Sequence, residues 1–233
     1  MNTKKTLGVI GGMGPLATAY LAQLLALCAD VSTDQEHINL LIHEYPSTPD
    51  RTAYITGKSP DSPLPYILKA GRQLCDLGAD LIAIPCVTSH FFYDEISSSL
   101  SVPVQSMLDA VTDELKRSHV SSAGIMATTG TVTTGLFQKS LAKAGINAVL
   151  CDEDDQSKVM SIIYDEVKAG KPITRSVFDL VCEHLLGRGA EKIILGCTEL
   201  SVINMSPDRP ADTVDALECL ARACLYRLGV KLK

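Results

Sequence analysis

The chain has 233 residues, 46% of them hydrophobic and 21% charged, which is enough apolar material for a globular core in one large or two small domains and excludes a disordered or fibrous chain. Lys and Arg number 21 against 27 Asp and Glu, so the formal net charge of -6 argues against a binder of the nucleic-acid backbone; the absence of Trp and an aromatic content of 5% argue against base-stacking platforms. No apolar run is long enough to span a bilayer, and the opening Met1 to Leu7, with Lys4 and Lys5, runs into a Gly-rich turn before a signal-peptide core forms. The expectation is a soluble cytoplasmic protein with no nucleic-acid or membrane partner.

In chain order, short β-rich apolar runs alternate with longer helical stretches. A strand over 6–10 leads through a glycine turn into a helix over 15–29, with Pro15 in the first turn, where its missing N–H would be unpaired anyway. A strand over 39–43 is followed by a Pro-, Ser- and Asp-rich loop over 47–65, a length often functional in compact domains. Next come a helix over 65–77, a strand over 81–84, a helix over 108–117 and a strand over 122–126. A helix over 136–144, a strand over 148–151, helices over 157–168 and 177–186, a strand over 192–195 and a helix over 214–228 complete the series. This alternation predicts an α/β fold with parallel strands flanked by helices.

The two halves echo each other. Gly78-Ala79-Asp80-Leu81-Ile82-Ala83-Ile84-Pro85-Cys86 aligns with Gly189-Ala190-Glu191-Lys192-Ile193-Ile194-Leu195-Gly196-Cys197 at an offset of 111 (197 − 86). Likewise the run Leu7 to Gly14 aligns with Ala123 to Gly130, each a strand and then a Gly-bounded turn into a helix. The echo predicts two similar subdomains, 1–110 and 111–211, with the last helix, about 212–233, packing back on the first. A pseudo-twofold axis between them would put Cys86 and Cys197 at equivalent strand ends facing one cleft, since ligands of open α/β sheets bind at the carboxyl ends of strands.

Eight cysteines in a chain of this size without a signal segment read as reduced thiols and not as a disulfide framework. No Cys-x-x-Cys occurs; the nearest metal-like spacing, Cys86-x-x-x-His90, has no second pair, so no metal site is expected. Most of these thiols should be small buried apolar residues. Cys86, followed by Val87-Thr88-Ser89-His90, and Cys197, followed by Thr198-Glu199, stand apart because each meets hydroxyls and N–H donors at a strand-to-loop transition. A thiol titrates at about 8.5 and falls near a helix N-terminus, so two opposed thiols could deprotonate and reprotonate one carbon from opposite sides.

The rival motif is Gly12-Met13-Gly14-Pro15-Leu16-Ala17, which fits the dinucleotide fingerprint in form. The fingerprint expects an acid at a strand end about 20 residues further on, whereas Glu44, the acid that follows the second strand, lies 30 past Gly14 (44 − 14). The turn also recurs as Ala127-Thr128-Thr129-Gly130-Thr131, which points to two anion-receiving helix starts.

With these motifs in hand, the sequence resembles the PLP-independent aspartate/glutamate racemase family, in particular its aspartate racemase and broad-specificity amino-acid racemase members. The resemblance runs from Gly11-Gly12-Met13-Gly14-Pro15-Leu16-Ala17-Thr18 through Thr33-Asp34-Gln35-Glu36-His37, Pro49-Asp50-Arg51-Thr52, the Cys86 segment, Ala127 to Thr131 and Tyr164 to Gly170, to Ile194-Leu195-Gly196-Cys197-Thr198-Glu199-Leu200. It implies two α/β subdomains around a cleft, two cysteines acting as the bases, no cofactor, a small amino-acid substrate and a homodimer. Cys86 and Cys197 match the catalytic pair. Arg51 and Lys168 match the residues that face the substrate's side-chain carboxylate in acidic-amino-acid racemases; without the resemblance they would be a loop charge and a helix-end lysine. Met13, Thr88, Ser89 and Thr131 fall in substrate-lining motifs, and Val87, Thr198 and Glu199 flank the thiols in the same binding set. Two roles stay open: Glu199 orients the Cys197 loop or touches substrate, and His90 starts the helix after Cys86 or does more. By analogy with related glutamate racemases, Cys86 would act on the D-enantiomer and Cys197 on the L-enantiomer.

One position departs from the pattern. Val87 stands where the family has Asn, whose amide helps hold the substrate α-carboxylate, and a valine side chain donates no hydrogen bond. That leaves room for relatives of altered substrate, of the hydantoin racemase, maleate isomerase or decarboxylase type, and for a catalytically weak amino-acid-binding protein. Arg51 and Lys168 favour an acidic amino acid, and the intact thiol pair favours an enzyme.

Overall fold

The apolar runs of the N-terminal part pair as parallel strands in the computed structural model, which describes residues 4–205 and 210–233, with backbone alone at 204–205; Met1 to Thr3, at the start of the Lys4-Lys5 segment, lie outside the described residues. Strands β1 (Thr6–Gly11), β2 (Asn39–Glu44), β3 (Leu81–Ala83) and β4 (Val104–Gln105) form a sheet in the order β2-β1-β3-β4. β1 pairs on both sides, and its Leu7, Val9 and Ile10 are almost wholly buried, the continuous apolar run expected of a strand covered on both faces. β2, at the edge, keeps Ile42 43% exposed. Helices α1 (Pro15–Cys28), α2 (Arg51–Ile55), α3 (Leu64–Asp76) and α4 (Tyr93–Ser99) belong to this unit. Its core joins Ile67, Ala70 and Leu74 of α3 to Ile10, Ile82, Ile84 and Ile96.

The second unit runs from Leu108 to Ala216. Helix α5 (Met107–Arg117), whose first residue still belongs to the first unit, leads into β5 (Ser122–Met126), followed by α6 (Thr129–Thr134), α7 (Leu136–Lys143), β6 (Asn147–Leu150), α8 (Glu153–Ser161), a π-helical turn (Ile162–Val167), α9 (Arg175–Gly187), β7 (Lys192–Leu195) and β8 (Thr213–Asp215). The sheet order, β6-β5-β7-β8, repeats that of the first unit strand for strand, again all parallel. Val159, Ile163, Phe178, Val181 and Leu185 pack on Ile193 and Leu195 to make its core. From Leu217 onward, α10 (Ala216–Arg227) and the tail belong to the first unit. There the Lys233 amide donates to the Cys28 carbonyl (3.0 Å) and the Asp30 amide to the Lys231 carbonyl (2.8 Å), pinning the C-terminus to the end of α1.

The α/β class and the two-subdomain organisation are as the sequence predicts; the differences are local. β4 and β8 have two and three residues and leave no readable alternation, so the sequence shows neither. β8 pairs with β7, which carries the second unit to Ala216 and starts the last helix there, past the expected 214. The loop over 47–65 contains α2, nucleated by Asp50, whose carboxylate accepts from the Ala53 amide at 2.8 Å. The stretch over 157–168 is α8 followed by the π turn, whose exit is marked by the Lys168 amide donating to the Ile163 carbonyl five residues back (3.0 Å).

This topology dictates where a ligand can sit within each unit. In the order β2-β1-β3-β4 the chain moves outward from β1 to β2 and then crosses to the other side at β3, so the connections after β1 and β3 diverge and leave a crevice at their carboxyl ends. Those ends are the turn from Gly11 to Gly14 and the Cys86 loop. In the second unit the same reasoning selects the turn after β5, Ala127 to Thr131, and the Cys197 loop after β7.

Candidate active site

In the first unit, the turn after β1 passes against the chain that follows β2. Gly12 has φ +88, and a Cβ there would lie 2.4 Å from the Tyr45 carbonyl carbon, so neither conformation nor space admits another residue. The close approach brings Met13, 3% exposed, under Arg51 and beside Ser89. Arg51 donates from Nη2 to the Met13 carbonyl (3.2 Å) and from Nη1 to the carbonyls of Thr48 (3.3 Å) and Pro49 (2.9 Å). Ser89 donates from Oγ to the Met13 Sδ at 3.4 Å. Met13, Arg51 and Ser89 are therefore one cluster, and the loop arginine, 7% exposed, is built into it as no ordinary surface charge would be.

Cys86 belongs to the same buried core as Met13, its amide donating to the Ile84 carbonyl (2.8 Å). Cys86, Val87, Thr88, Ser89 and His90 are all buried, and Thr88–Phe92 form a 3₁₀ turn. Val87, the residue after the thiol, is apolar and buried in this loop. His90 lies under the loop, with Nδ1 3.0 Å from the Cys86 carbonyl and Nε2 accepting from the Met107 amide at 3.0 Å. Glu44, at the end of β2, has its carboxyl held above its ordinary range by burial, against a hydrogen bond from Thr18. Thr18 Oγ1 also accepts from the Gly12 amide (3.1 Å). This acid thus belongs to the glycine turn and serves there as a support.

The second unit carries the stronger electrostatics. Gly196 has no room for a side chain, since a Cβ would meet the Phe137 ring at 2.6 Å, and its amide donates to the Met126 carbonyl at 2.7 Å. The chain is thereby delivered from β7 into a buried turn containing Cys197, Thr198 and Glu199. Cys197 Sγ donates to Glu199 Oε2 at 2.9 Å, and Lys168 Nζ pairs with Glu199 Oε1 at 2.7 Å. Lys168 reaches this position from the exit of the π turn, with its ammonium also 5.5 Å from the centre of the Tyr164 ring. Burial pushes the Cys197 thiol well above the usual thiol range, and the Glu199 carboxylate pushes it further; Lys168 opposes both.

Thr131, wholly buried, donates its amide to Thr128 Oγ1 (3.3 Å), the cap of α6. Two residues that sequence reasoning passes over hold this turn. Gln156 donates to the Ala127 carbonyl (2.9 Å) and Met160 Sδ accepts from the Thr129 amide (3.2 Å), both from α8. Their only sequence signal is helical spacing, 160 − 156, which is shared by any buried helix face.

Three of the remaining thiols, Cys151, Cys182 and Cys224, behave as packing. Burial pushes Cys151 up to about 11 and Cys182 and Cys224 up to about 12, and no carboxylate accepts a hydrogen bond from them among the described contacts. Among the described residues no group of three or more His, Cys, Asp or Glu is placed to hold a metal ion, and no helix is long and apolar enough to cross a membrane.

The chain is similar over nearly its full length to proteins of known class. A broad-specificity amino-acid racemase of Bacillus subtilis is 25% identical over 227 residues, 93% of this chain and 95% of that protein. A glutamate racemase of Aquifex pyrophilus is 25% identical over 172 residues, 70% of this chain and 65% of that protein. Among solved structures, the aspartate racemase of Picrophilus torridus superposes with a TM-score of 0.84 at 29% identity, covering 98% of this chain and 96% of that one. A glutamate racemase of Francisella tularensis, solved with D-glutamate, shares the fold at a TM-score of 0.62 and 18% identity, with coverage of 97% and 81%. A family model described as Asp/Glu/hydantoin racemase matches residues 10–224, a span that takes in both glycine turns, both cysteine loops and Lys168, and the chain belongs to that family.

Proposed function

We propose that this racemase-family protein inverts the α-carbon of an acidic amino acid, aspartate or glutamate, by proton transfer between two cysteines and without a cofactor. The observation that carries the reading is the equivalence of Cys86 and Cys197: each follows the third strand of an identically ordered sheet, at that sheet's own switch point, in a buried loop of hydroxyls. The aspartate racemase of P. torridus supports an acidic substrate, and the broad-specificity enzyme of B. subtilis supports an amino acid more generally.

In this mechanism one thiolate removes the α-proton to leave a carbanion-like species, and the other thiol returns a proton to the opposite face. One sulfur must therefore rest protonated. Cys197, buried and donating to Glu199, is suited to be that acid. Cys86 then enters as the thiolate and takes the proton of the D-enantiomer. For the L-enantiomer Cys197 must be the base. Glu199 is placed to take its proton first: S–H breaks, O–H forms on Oε2, and the charge of the pair is unchanged. The α-hydrogen is weakly acidic, so loop N–H groups and the hydroxyls of Thr88, Ser89, Thr131 and Thr198 stabilise the developing charge while burial excludes water. Arg51 and Lys168 supply cationic character for the side-chain carboxylate. A carboxylate that reaches Lys168 must share it with Glu199.

A second reading keeps the thiol chemistry and changes the substrate. Val87, 2% exposed, removes a hydrogen-bond donor beside Cys86 and favours a less polar group there, as in a hydantoin-type substrate. Following α-proton exchange in D₂O by NMR for L- and D-aspartate, L- and D-glutamate, a neutral amino-acid panel and a hydantoin separates the readings. Exchange with inversion, lost in both Cys86→Ala and Cys197→Ala, is the expected result. Robust racemisation by Cys197→Ala overturns the two-base mechanism, and tight binding without exchange identifies a binding protein. In the same proposal the protein acts in the cytoplasm as a homodimer, which sedimentation velocity tests.

A further inference from the structure

We infer that His90 is a positioning residue for Cys86, a neutral imidazole strut that fixes the main chain of the thiol-bearing loop against the head of α5. The inference rests on the reading of Cys86 as an acid–base thiol, and it assigns a purpose to a buried histidine that the proton-transfer chemistry itself does not use. His90 is 3% exposed, and both ring nitrogens meet main-chain groups. The partner of Nε2 is the Met107 amide at 3.0 Å, and an amide can only donate, so Nε2 carries a lone pair and no proton. The partner of Nδ1 is the Cys86 carbonyl at 3.0 Å, and a carbonyl can only accept, so Nδ1 carries the hydrogen. The two contacts together fix one neutral tautomer, and a doubly protonated ring would lose the Met107 contact. Tyr93 lies 5.8 Å away with its ring 5° from parallel, which holds the imidazole plane. Tyr93 is in turn anchored by its hydroxyl donating to the Val104 carbonyl at 3.0 Å.

The geometry explains how a histidine can govern the sulfur through the main chain. The Cys86 carbonyl and the Met107 amide both lack strand or helix partners in their own segments. Cys86 has left β3, and Met107 is the first residue of α5, whose opening amides have no carbonyl behind them. One imidazole satisfies both and ties the Cys86 peptide to a helix start 21 residues further along (107 − 86). Because the His90 amide also donates to the Val87 carbonyl (2.9 Å), the segment from Cys86 to His90 is closed on itself as a rigid turn. A thiol on such a turn keeps its aim through repeated proton transfers; on a loosened turn it would swing, and small misplacements cost large factors in rate.

The test uses the full chain and the variants His90→Asn and His90→Gln. The Asn amide takes the place of Nδ1 and can still donate to the Cys86 carbonyl. The Gln amide reaches the place of Nε2 and can still accept from Met107. Limited alkylation with iodoacetamide, resolved at each cysteine by peptide mass spectrometry, reads the environment of Cys86 without requiring turnover. His90→Gln is expected to change the Cys86 alkylation rate by about tenfold and to lower kcat for racemisation by a similar factor with KM nearly unchanged. Cys197 alkylation should stay within about twofold. His90→Asn should restore most of both Cys86 readouts. If Cys86 responds this way while the parent protein racemises no amino acid, the strut stands and the racemase reading fails. Equal effects on Cys86 and Cys197, or none on Cys86 in folded variants, overturn the inference. Should both variants fail to fold, long-range ¹H–¹⁵N correlation of the parent protein decides: Nδ1-protonated neutral His90 supports the strut, and an Nε2-protonated or charged ring refutes it.

Discussion

Replacing Glu199 by Gln should make Cys197 a more reactive thiol in a slower enzyme. The carboxylate stands 2.9 Å from Sγ, and Gln keeps its size while removing its charge. Two unit charges at about 4 Å interact by about 4 kcal/mol at an effective dielectric near 20, so the carboxylate opposes the thiolate strongly. Lys168, 2.7 Å from the other oxygen and 25% exposed, already offsets part of that repulsion, so removing the carboxylate lowers the thiol by only part of what an isolated charge would. Lys168 remains in the variant and pulls the thiol in the same direction. At neutral pH the thiolate fraction then rises, while nucleophilicity falls less steeply than basicity, at a slope near 0.4–0.5, leaving alkylation faster by about 3- to 10-fold. Racemisation should fall by about 100-fold, because the group that accepts the Cys197 proton is gone. Two enantiomers have equal free energy in water, so kcat/KM must fall equally in both directions; the asymmetry belongs in kcat, larger when Cys197 is the base. Iodoacetamide alkylation with Cys86 as the internal reference provides the assay. Unchanged or slower alkylation at Cys197 in a folded Glu199→Gln protein refutes the electrostatic account of this thiol.

Val87→Asn should raise kcat/KM for aspartate or glutamate by about one to two decades, the worth of a hydrogen bond to a charged group; steady-state assays showing no gain would favour the altered-substrate reading. Asp155→Asn should cost about 1–3 kcal/mol in urea denaturation, discounted because Lys158, His184 and Arg188, which surround the buried carboxylate, are themselves partly exposed and regain water. Burial raises the Asp155 pKa, and the hydrogen bonds from Lys158 and His184 outweigh it, leaving the folded value below the unfolded one. Its contribution is therefore full above about pH 4 and is lost as pH falls through the lowered value, so the acid limb of the stability curve should flatten in the variant. Gly12→Ala should destabilise by at least about 2 kcal/mol and lower activity, since φ +88 and the Tyr45 main chain both oppose a Cβ; a neutral thermal melt would contradict the turn geometry.

The sequence carried most of the fold because its main signals are local. Continuous apolar runs such as Leu7 to Ile10 and Ile193 to Leu195 mark central parallel strands, and the echo between Gly78 to Cys86 and Gly189 to Cys197 marks two units of one topology. Signals that depend on pairing partners were silent. Val104–Gln105 and Thr213–Asp215 are strands only because β3 and β7 lie beside them, and the π turn before Lys168 leaves no trace in composition. The same division holds in the site. Met13, Ser89 and Thr131 follow from motifs, whereas Gln156 and Met160 act through main-chain contacts that their helical spacing does not mark.

Glu199 is where local motif and long-range structure meet, and it decides the division of labour between the thiols in the proposed mechanism. A two-base racemase with both thiols deprotonated cannot return a proton, and with both protonated it cannot remove one; the two environments must differ. Sequence alone treats Cys86 and Cys197 as equals, since each has the same strand before it and a hydroxyl two or fewer residues after it. The structure separates them through Lys168, 29 residues before Cys197 (197 − 168), because the ion pair at 2.7 Å holds Glu199 in place beside the sulfur. Cys86 has a histidine at its carbonyl, four residues on, whereas Cys197 has a carboxylate at its thiol, two residues on. The asymmetry therefore resides in the segments downstream of the two cysteines, His90 in one and Glu199 in the other. Exchanging Glu199 for a neutral group should consequently impair the L-enantiomer direction in kcat first, while the Cys86 half of the reaction keeps its intrinsic isotope effect.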